Sequence, residues 1–186
     1  MAIFVVFETN ASNLVAGDFN GTGDVVGNSV RPTVSLDLLD TTAIEGSSSP
    51  ADVGVYEISR NDSTDAITAR LAVSNTSTAS GTDYVITPDN PAVTIAPDPT
   101  NPNIYVVTIP AGVASVQLNV TAVDDAIAEA AELLQLNLEP NSTYTARNLS
   151  TDSMTIAAND TGVTSLSDQG EGSLRQALIN ANATPG

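Results

Sequence analysis

The sequence predicts an all-β chain folded as a two-sheet sandwich or a barrel, and three observations carry that expectation. Val, Ile and Thr are abundant throughout the 186 residues, as half-buried pleated strands require. Short runs alternate apolar and polar at period two, which puts one set of side chains on one face of a strand. Clusters of Gly, Pro, Asn, Asp and Ser separate the runs and supply turns.

Taken in order, the alternating runs are 34–38 (VSLDL), 53–58 (VGVYEI), 67–73, 104–109, 116–123 and 134–138 (LQLNL), with a shorter one at 153–156. About seven strands in ~120 residues is the density of a sandwich or small barrel. Two segments depart from the pattern. Residues 126–136 (AIAEAAELLQL) fit a short amphipathic helix, with Ile127, Ala130, Ala131 and Leu134 on one face, as well as a loop followed by a strand. Residues 173–183 (SLRQALINANA) predict a helix. Ser173 and Gln176 have capping-box spacing, and Leu174, Ala177, Leu178 and Ala181 form an apolar stripe.

Charge removes whole classes of function. The chain carries 22 acidic and 5 basic residues, a formal net charge of −17, and all five bases are arginines (Arg31, Arg60, Arg70, Arg147, Arg175). With no His and no Cys, thiolate and imidazole metal sites and Ser-His-Asp or Cys-His catalysis are excluded. Nucleic acid is not an expected partner, because phosphate binding needs clustered cations. The same shortage disfavours attachment to anionic lipid. Hydrophobic residues at 41% are enough for a packed core, so the charge does not signal disorder. Residues 1–7 (MAIFVVF) are too short for a signal core and follow no basic stretch, and no apolar run reaches the ~18 residues of a spanning helix. Direct membrane insertion is therefore not expected.

Carboxylates are the only dense chemical resource. Asp124, Asp125, Glu129 and Glu132 fall within nine residues directly after the alternating run 116–123. Neighbouring carboxylates repel unless they are solvated or neutralised by a cation. A hard cation such as Ca2+ takes roughly six to eight oxygens, carboxylates and backbone carbonyls among them. Further acids stand at other expected strand ends: Glu45, Asp83 and Asp160. Strand ends of a sandwich meet at its poles, so these groups can converge; a solvated acidic face is the alternative. Residues 18–24 (DFNGTGD) have oxygens at positions 1, 3 and 7 of an EF-hand loop, but Ser29 stands where that loop needs a bidentate Glu. Sequons at Asn75, Asn119 and Asn141 follow from composition. Paired carboxylates also serve glycoside hydrolysis, although three Phe, four Tyr and no Trp offer few rings to stack on sugar.

Four stretches resemble a known family, the Calx-beta domains. Gly81-Thr82-Asp83-Tyr84 is similar to their G-[ST]-D-Y signature. Residues 109–136 (IPAGVASVQLNVTAVDDAIAEAAELLQL) resemble the stretch that ends in an Asp pair and two spaced Glu. Residues 43–46 (AIEG) are similar to the opening motif and 154–160 (MTIAAND) to the closing strand with its acidic end. The resemblance spans about 31–161. It implies an immunoglobulin-like β-sandwich of about seven strands that binds Ca2+ at one pole. By motif position, Glu45, Asp83, Asp124, Asp125, Glu129, Glu132 and Asp160 would be ligands, with Ile127 offering its backbone carbonyl. It also implies that 126–132 is the ligand loop and 133–138 a strand.

The sequence departs from the pattern at Ala126, Ala158 and Asn159, which stand where strongly binding members are acidic. Fewer anionic ligands imply one or two ions, held with affinity near the ~10⁻⁴–10⁻³ M of extracellular modules. The connection 88–103, with five prolines, is longer than usual for the family.

Residues 7–21 resemble a repeat of propeller-type bacterial surface proteins, and 163–186 are similar to the entry segment of bacterial right-handed β-helix surface modules. The organisation expected is therefore 1–30 as the tail of a preceding module or a linker, 31–161 as the sandwich, and 162–186 as the start of a following module. The function implied is non-enzymatic: a Ca2+-binding module of a large extracellular or bacterial cell-surface protein. Its partners would be calcium ions, neighbouring modules of the same polypeptide, and surface or matrix ligands. A metal-independent structural spacer is the alternative, and a fragment of a carboxylate-based hydrolase the third reading.

Overall fold

The computed structural model describes residues 3–9, 24–46, 52–124, 130–147, 152–158, 163, 165–170 and 172–183. Near the N-terminus, β1 (Ile3–Thr9) and β2 (Asp24–Val30) form an antiparallel pair, Ile3 opposite Val30 and Thr9 opposite Asp24.

The alternating runs become strands that bury every second side chain. In β5 (Gly54–Arg60), Gly54, Tyr56, Ile58 and Arg60 face inward. In β10 (Ser115–Ala122), Val116, Leu118, Val120 and Ala122 do so. These two strands pair with each other and with β3 (Thr33–Asp40) and β7 (Tyr84–Pro88). The layer is completed by β13 (Thr145–Arg147), which runs parallel to β3, and its order is β13-β3-β5-β10-β7.

The second layer has two hydrogen-bonded parts. One has the order β11-β14-β4, from β11 (Glu132–Leu134), β14 (Met154–Ala157) and β4 (Thr42–Ile44). The other is β12-β6-β9-β8, from β12 (Leu136–Leu138), β6 (Ile67–Val73), β9 (Asn101–Ile109) and β8 (Thr94–Asp98). Only Gln135 separates β11 from β12, so one run of chain joins both parts into a continuous layer. This segment is therefore a strand rather than a helix over 132–138. Residues 125–129 lie outside the described residues.

The two layers close as an immunoglobulin-like β-sandwich. Val34, Leu36, Tyr56, Ile58, Leu118 and Val120 of one layer share a continuous core with Leu71, Val107, Ile109, Leu134, Leu136, Leu138, Met154 and Ile156 of the other. Burying such side chains is worth roughly 1.5–3 kcal/mol each. Gly54 has no side chain because Met154 takes its space: a Cβ there would run into the thioether. The break at Gln135 leaves main-chain groups that the facing sheet satisfies. Tyr56 Oη donates to Leu134 O at 3.0 Å and accepts from Leu136 N at 3.4 Å. Burial pushes the Tyr56 phenol up to about 12, opposed by the Leu136 amide and reinforced by Asp152.

Several strands were not legible as alternating runs: β4, β7, β8 and β13 are short or stand at sheet edges. The proline-rich connection forms β8 and the start of β9 instead of an open loop. β8 is an edge strand paired to β9 alone, and an edge tolerates Pro97 because its missing N–H takes no ladder bond from a neighbour.

At the C-terminal side, α1 (Leu174–Ala183) forms as expected, capped by Ser173, whose Oγ accepts from Gln176 N at 3.2 Å. Its predicted stripe does not pack as a whole. Ala177 is buried, but Leu174 and Leu178 remain 60% and 56% exposed. Ala181 carries no described side chain. No helix among the described residues is long and apolar enough to cross a membrane.

Candidate metal-binding pole

Four of the eight proposed ligand positions lie among the described residues, and the strand pairing brings them to one end of the sandwich. Asp83 immediately precedes β7 and Asp124 stands two residues past β10. Ala122 is opposite Tyr84, and Val123 N donates to Asp83 O at 2.9 Å, so Asp83 and Asp124 leave adjacent strands side by side. Glu132 opens β11 opposite Ile156, and Ile156 is opposite Ala43 in β4. Glu45 follows β4 and donates its N–H to Ala157 O at 3.0 Å. Glu45 and Glu132 thus sit at the same end, two strands apart, or roughly 10 Å at the ~4.8 Å spacing of neighbouring strands. Asp125, Ile127, Glu129 and Asp160 fall outside the described residues.

The chain between β6 and β7 links the two layers here. Thr78 N and Ala79 N both donate to Leu133 O, at 2.9 and 3.1 Å, and Leu133 N donates to Thr78 Oγ1 at 2.8 Å. This lays residues 77–79 beside β11 and turns Ser80–Asp83 towards Glu132. Asp83 is held by its own turn. Ser80 N donates to Oδ2, and the Ser80 and Thr82 hydroxyls each donate to Oδ1 at 3.0 Å. Ser80 and Thr82 were absent from the sequence-derived site, although the polar Ser-Gly-Thr-Asp spacing is the local signature of such a turn.

The Glu132 carboxyl, from the other layer, also acts on Asp83 across the pole. Burial raises the Asp83 carboxyl, but the Ser80 amide, the Glu132 carboxyl and the Ser80 and Thr82 hydroxyls together outweigh it and hold the group below its ordinary value. Glu132 Oε2 is shielded from solvent and Glu45 is buried. Carboxyl groups brought near one another repel when ionised, and a proton, a cation or solvent between them relieves that repulsion. Hard oxygen donors with no nitrogen or sulfur nearby suit Ca2+ or Mg2+ by chemistry. Among the described residues, no three acidic side chains gather closely enough to hold a metal by themselves.

The arginines are engaged or placed elsewhere. Arg70 pairs with Asp98 at 2.8 Å and Glu139 at 3.1 Å, and Arg175 with Asp168 at 3.0 Å. Arg60 and Arg147 belong to the far end of the first layer, where Ser59 lies opposite Ser115 at the start of β10. The eight residues of β10 put the two ends about 25 Å apart at ~3.3 Å per residue.

No family model matches the sequence, and no curated protein matches it. Among solved structures, the chain is similar to the apo-form Calx CBD1 domain, with a TM-score of 0.45 and 14% identity over 68% of this chain and 98% of that one. It is similar to the calcium binding domain CBD12 of CALX1.1, with a TM-score of 0.42 and 15% identity over 73% of this chain and 49% of that one. It spans about half the length of that second structure. A cohesin module from a Clostridium perfringens family 33 glycoside hydrolase gives a TM-score of 0.41 at 12% identity, over 70% of this chain and all of that one. The sandwich assignment rests on the chain's own strand pairing and burial.

Proposed function

We propose that this chain is a calcium-binding module of the Calx-beta type, non-enzymatic, within a large extracellular or bacterial cell-surface protein. Residues 31–161 form the module, with 1–30 and 162–186 belonging to its neighbours along the polypeptide. The observation that carries the reading is the approach of Asp83 to Glu132, two carboxyl groups brought from different layers of the sandwich to one pole. Glu45 and Asp124 stand at the same end, and Asp125, Ile127, Glu129 and Asp160 complete the proposed shell from adjoining segments. Ca2+ removes the repulsion between carboxylates and fixes the two layers relative to each other. A pole stiffened in this way suits contacts between modules or with surface or matrix ligands.

A hydrolase site needs two carboxyl groups ~5–9.5 Å apart with the scissile bond between them. Three Phe, four Tyr and no Trp offer few rings to stack on a sugar, which supports the non-enzymatic reading. The absence of a three-carboxylate group among the described residues favours a second reading, a spacer whose acidic pole is solvated. Calorimetric titration with a parallel thermal melt separates the two. Ca2+ at about a hundredfold its Kd stabilises by about 2.7 kcal/mol and raises Tm accordingly. Mg2+ at equal ionic strength gives a smaller rise, and Asp125→Ala with Glu129→Ala removes the rise without unfolding the metal-free protein. No binding heat at millimolar Ca2+, or equal effects of Ca2+ and Mg2+, leaves the spacer reading.

A further inference from the structure

A groove of about 750 Å³ is at the far end from the acidic pole, and it is lined by Thr33, Ser35, Ser59, Arg60, Asn61 and Arg147. It is an outward-facing feature of the sheet, built by register. Arg147 is opposite Ser35, Ser35 is opposite Ser59, and Ser59 is opposite Ser115. Four strands therefore present one row of a guanidinium and three hydroxyls on the same face. The floor is fixed: Ser35 Oγ and Ser59 Oγ are 2.8 Å apart, and Asn61 Oδ1 accepts from Thr33 N at 2.7 Å.

The two arginines play different parts. Arg60 is buried and bonded to Val113 O at 2.7 Å, Asp65 O at 2.5 Å and Pro110 O at 2.7 Å, so it shapes the wall. Arg147 is exposed, and among the described residues no carboxylate pairs with it, in a chain that has 22. Arg70 and Arg175 do find carboxylates. A guanidinium presents a planar fork that fits a carboxylate bidentately. Among the described residues, the lining offers hydroxyls and an amide around that fork and no aromatic ring, which suits a polyhydroxylated ligand held by hydrogen bonds rather than by stacking. The volume lies within the ~300–1,000 Å³ of ligand clefts.

We propose that this groove binds a carboxylate-bearing saccharide, its carboxylate on Arg147 and its hydroxyls on Thr33, Ser35, Ser59 and Asn61. The site is independent of the calcium pole, and its test is run without calcium. The 186-residue chain, in chelator at near-physiological salt, is titrated with tri-galacturonate and followed by calorimetry. Saturable binding is expected, and Arg147→Ala weakens it about tenfold or more while leaving Tm unchanged, because the side chain is exposed. Maltotriose, of similar size and neutral, binds at least about tenfold more weakly. Failure to saturate at millimolar ligand, equal binding by Arg147→Ala, or equal binding of maltotriose overturns the proposal. Tri-glutamate binding as tightly as tri-galacturonate overturns it too, since a carboxylate alone would then suffice.

Discussion

The two ends of β10 solve opposite electrostatic problems. Near its start, the buried cation Arg60 is enclosed by three backbone carbonyls, from Val113, Asp65 and Pro110. Burial lowers the Arg60 pKa, while Asp62 and Asp65 work against that loss. Past its end, the carboxyls of Asp83 and Glu132 come near each other, with Glu45 and Asp124 at the same pole. Main-chain dipoles are enough to hold one buried cation in place, because carbonyls can be aimed inward from loops. Several anions brought together need something mobile between them, a proton, a cation or solvent. One end is thus complete as protein, while the other gathers carboxyl groups of like charge from both layers.

The largest expected effect breaks the complete end. Arg60→Met keeps much of the buried volume but removes three hydrogen bonds and strands their carbonyls; urea unfolding should show a loss of about 3 kcal/mol or more. Tyr56→Phe tests the middle of the sandwich, where one hydroxyl serves both Leu134 O and Leu136 N. Its expected cost is about 1–3 kcal/mol by the same measurement. If Tyr56→Phe costs more than Arg60→Met, the guanidinium is not the principal tie at its end.

The smallest effect sharpens the acidic end. Because the folded-state pKa of Asp83 is lowered, its contribution to stability is present above the ordinary carboxylate value of ~3.9 and is lost as pH falls through the lowered folded value. Asp83→Asn in calcium-free buffer should therefore flatten the acid limb of the stability curve below about pH 4. An unchanged acid limb would mean that Asp83 is held no differently in the folded and unfolded chains.

How much of this was legible in the residues depends on how each strand draws its stability. The run 67–73 is β6 to the residue, and 116–123 is β10 displaced by one, because central strands bury alternate side chains and the burial is written as a period of two. β4, β7, β8 and β13 carry no such signal. They are three to five residues long or lie at edges, where pairing with a neighbour rather than burial keeps them extended. The helix 174–183 followed from its cap, which is local. The destination of its apolar stripe did not, since packing partners are not local.

The candidate site divides in the same way. The sequence by itself determined which chemistry was available: carboxylates in excess, no imidazole, no thiol, and a signature around Gly81–Tyr84 that places an acid at a strand end. It could not say that Asp83 meets Glu132, 49 positions further along, or that Arg147 shares a row with Ser35 and Ser59. Those meetings come from register and from the chain at 77–79, which ties the two layers together beside β11. Tertiary structure alone decided them, because side-chain type is a property of one position, while the field a carboxylate or a guanidinium feels is set by whatever the fold places beside it.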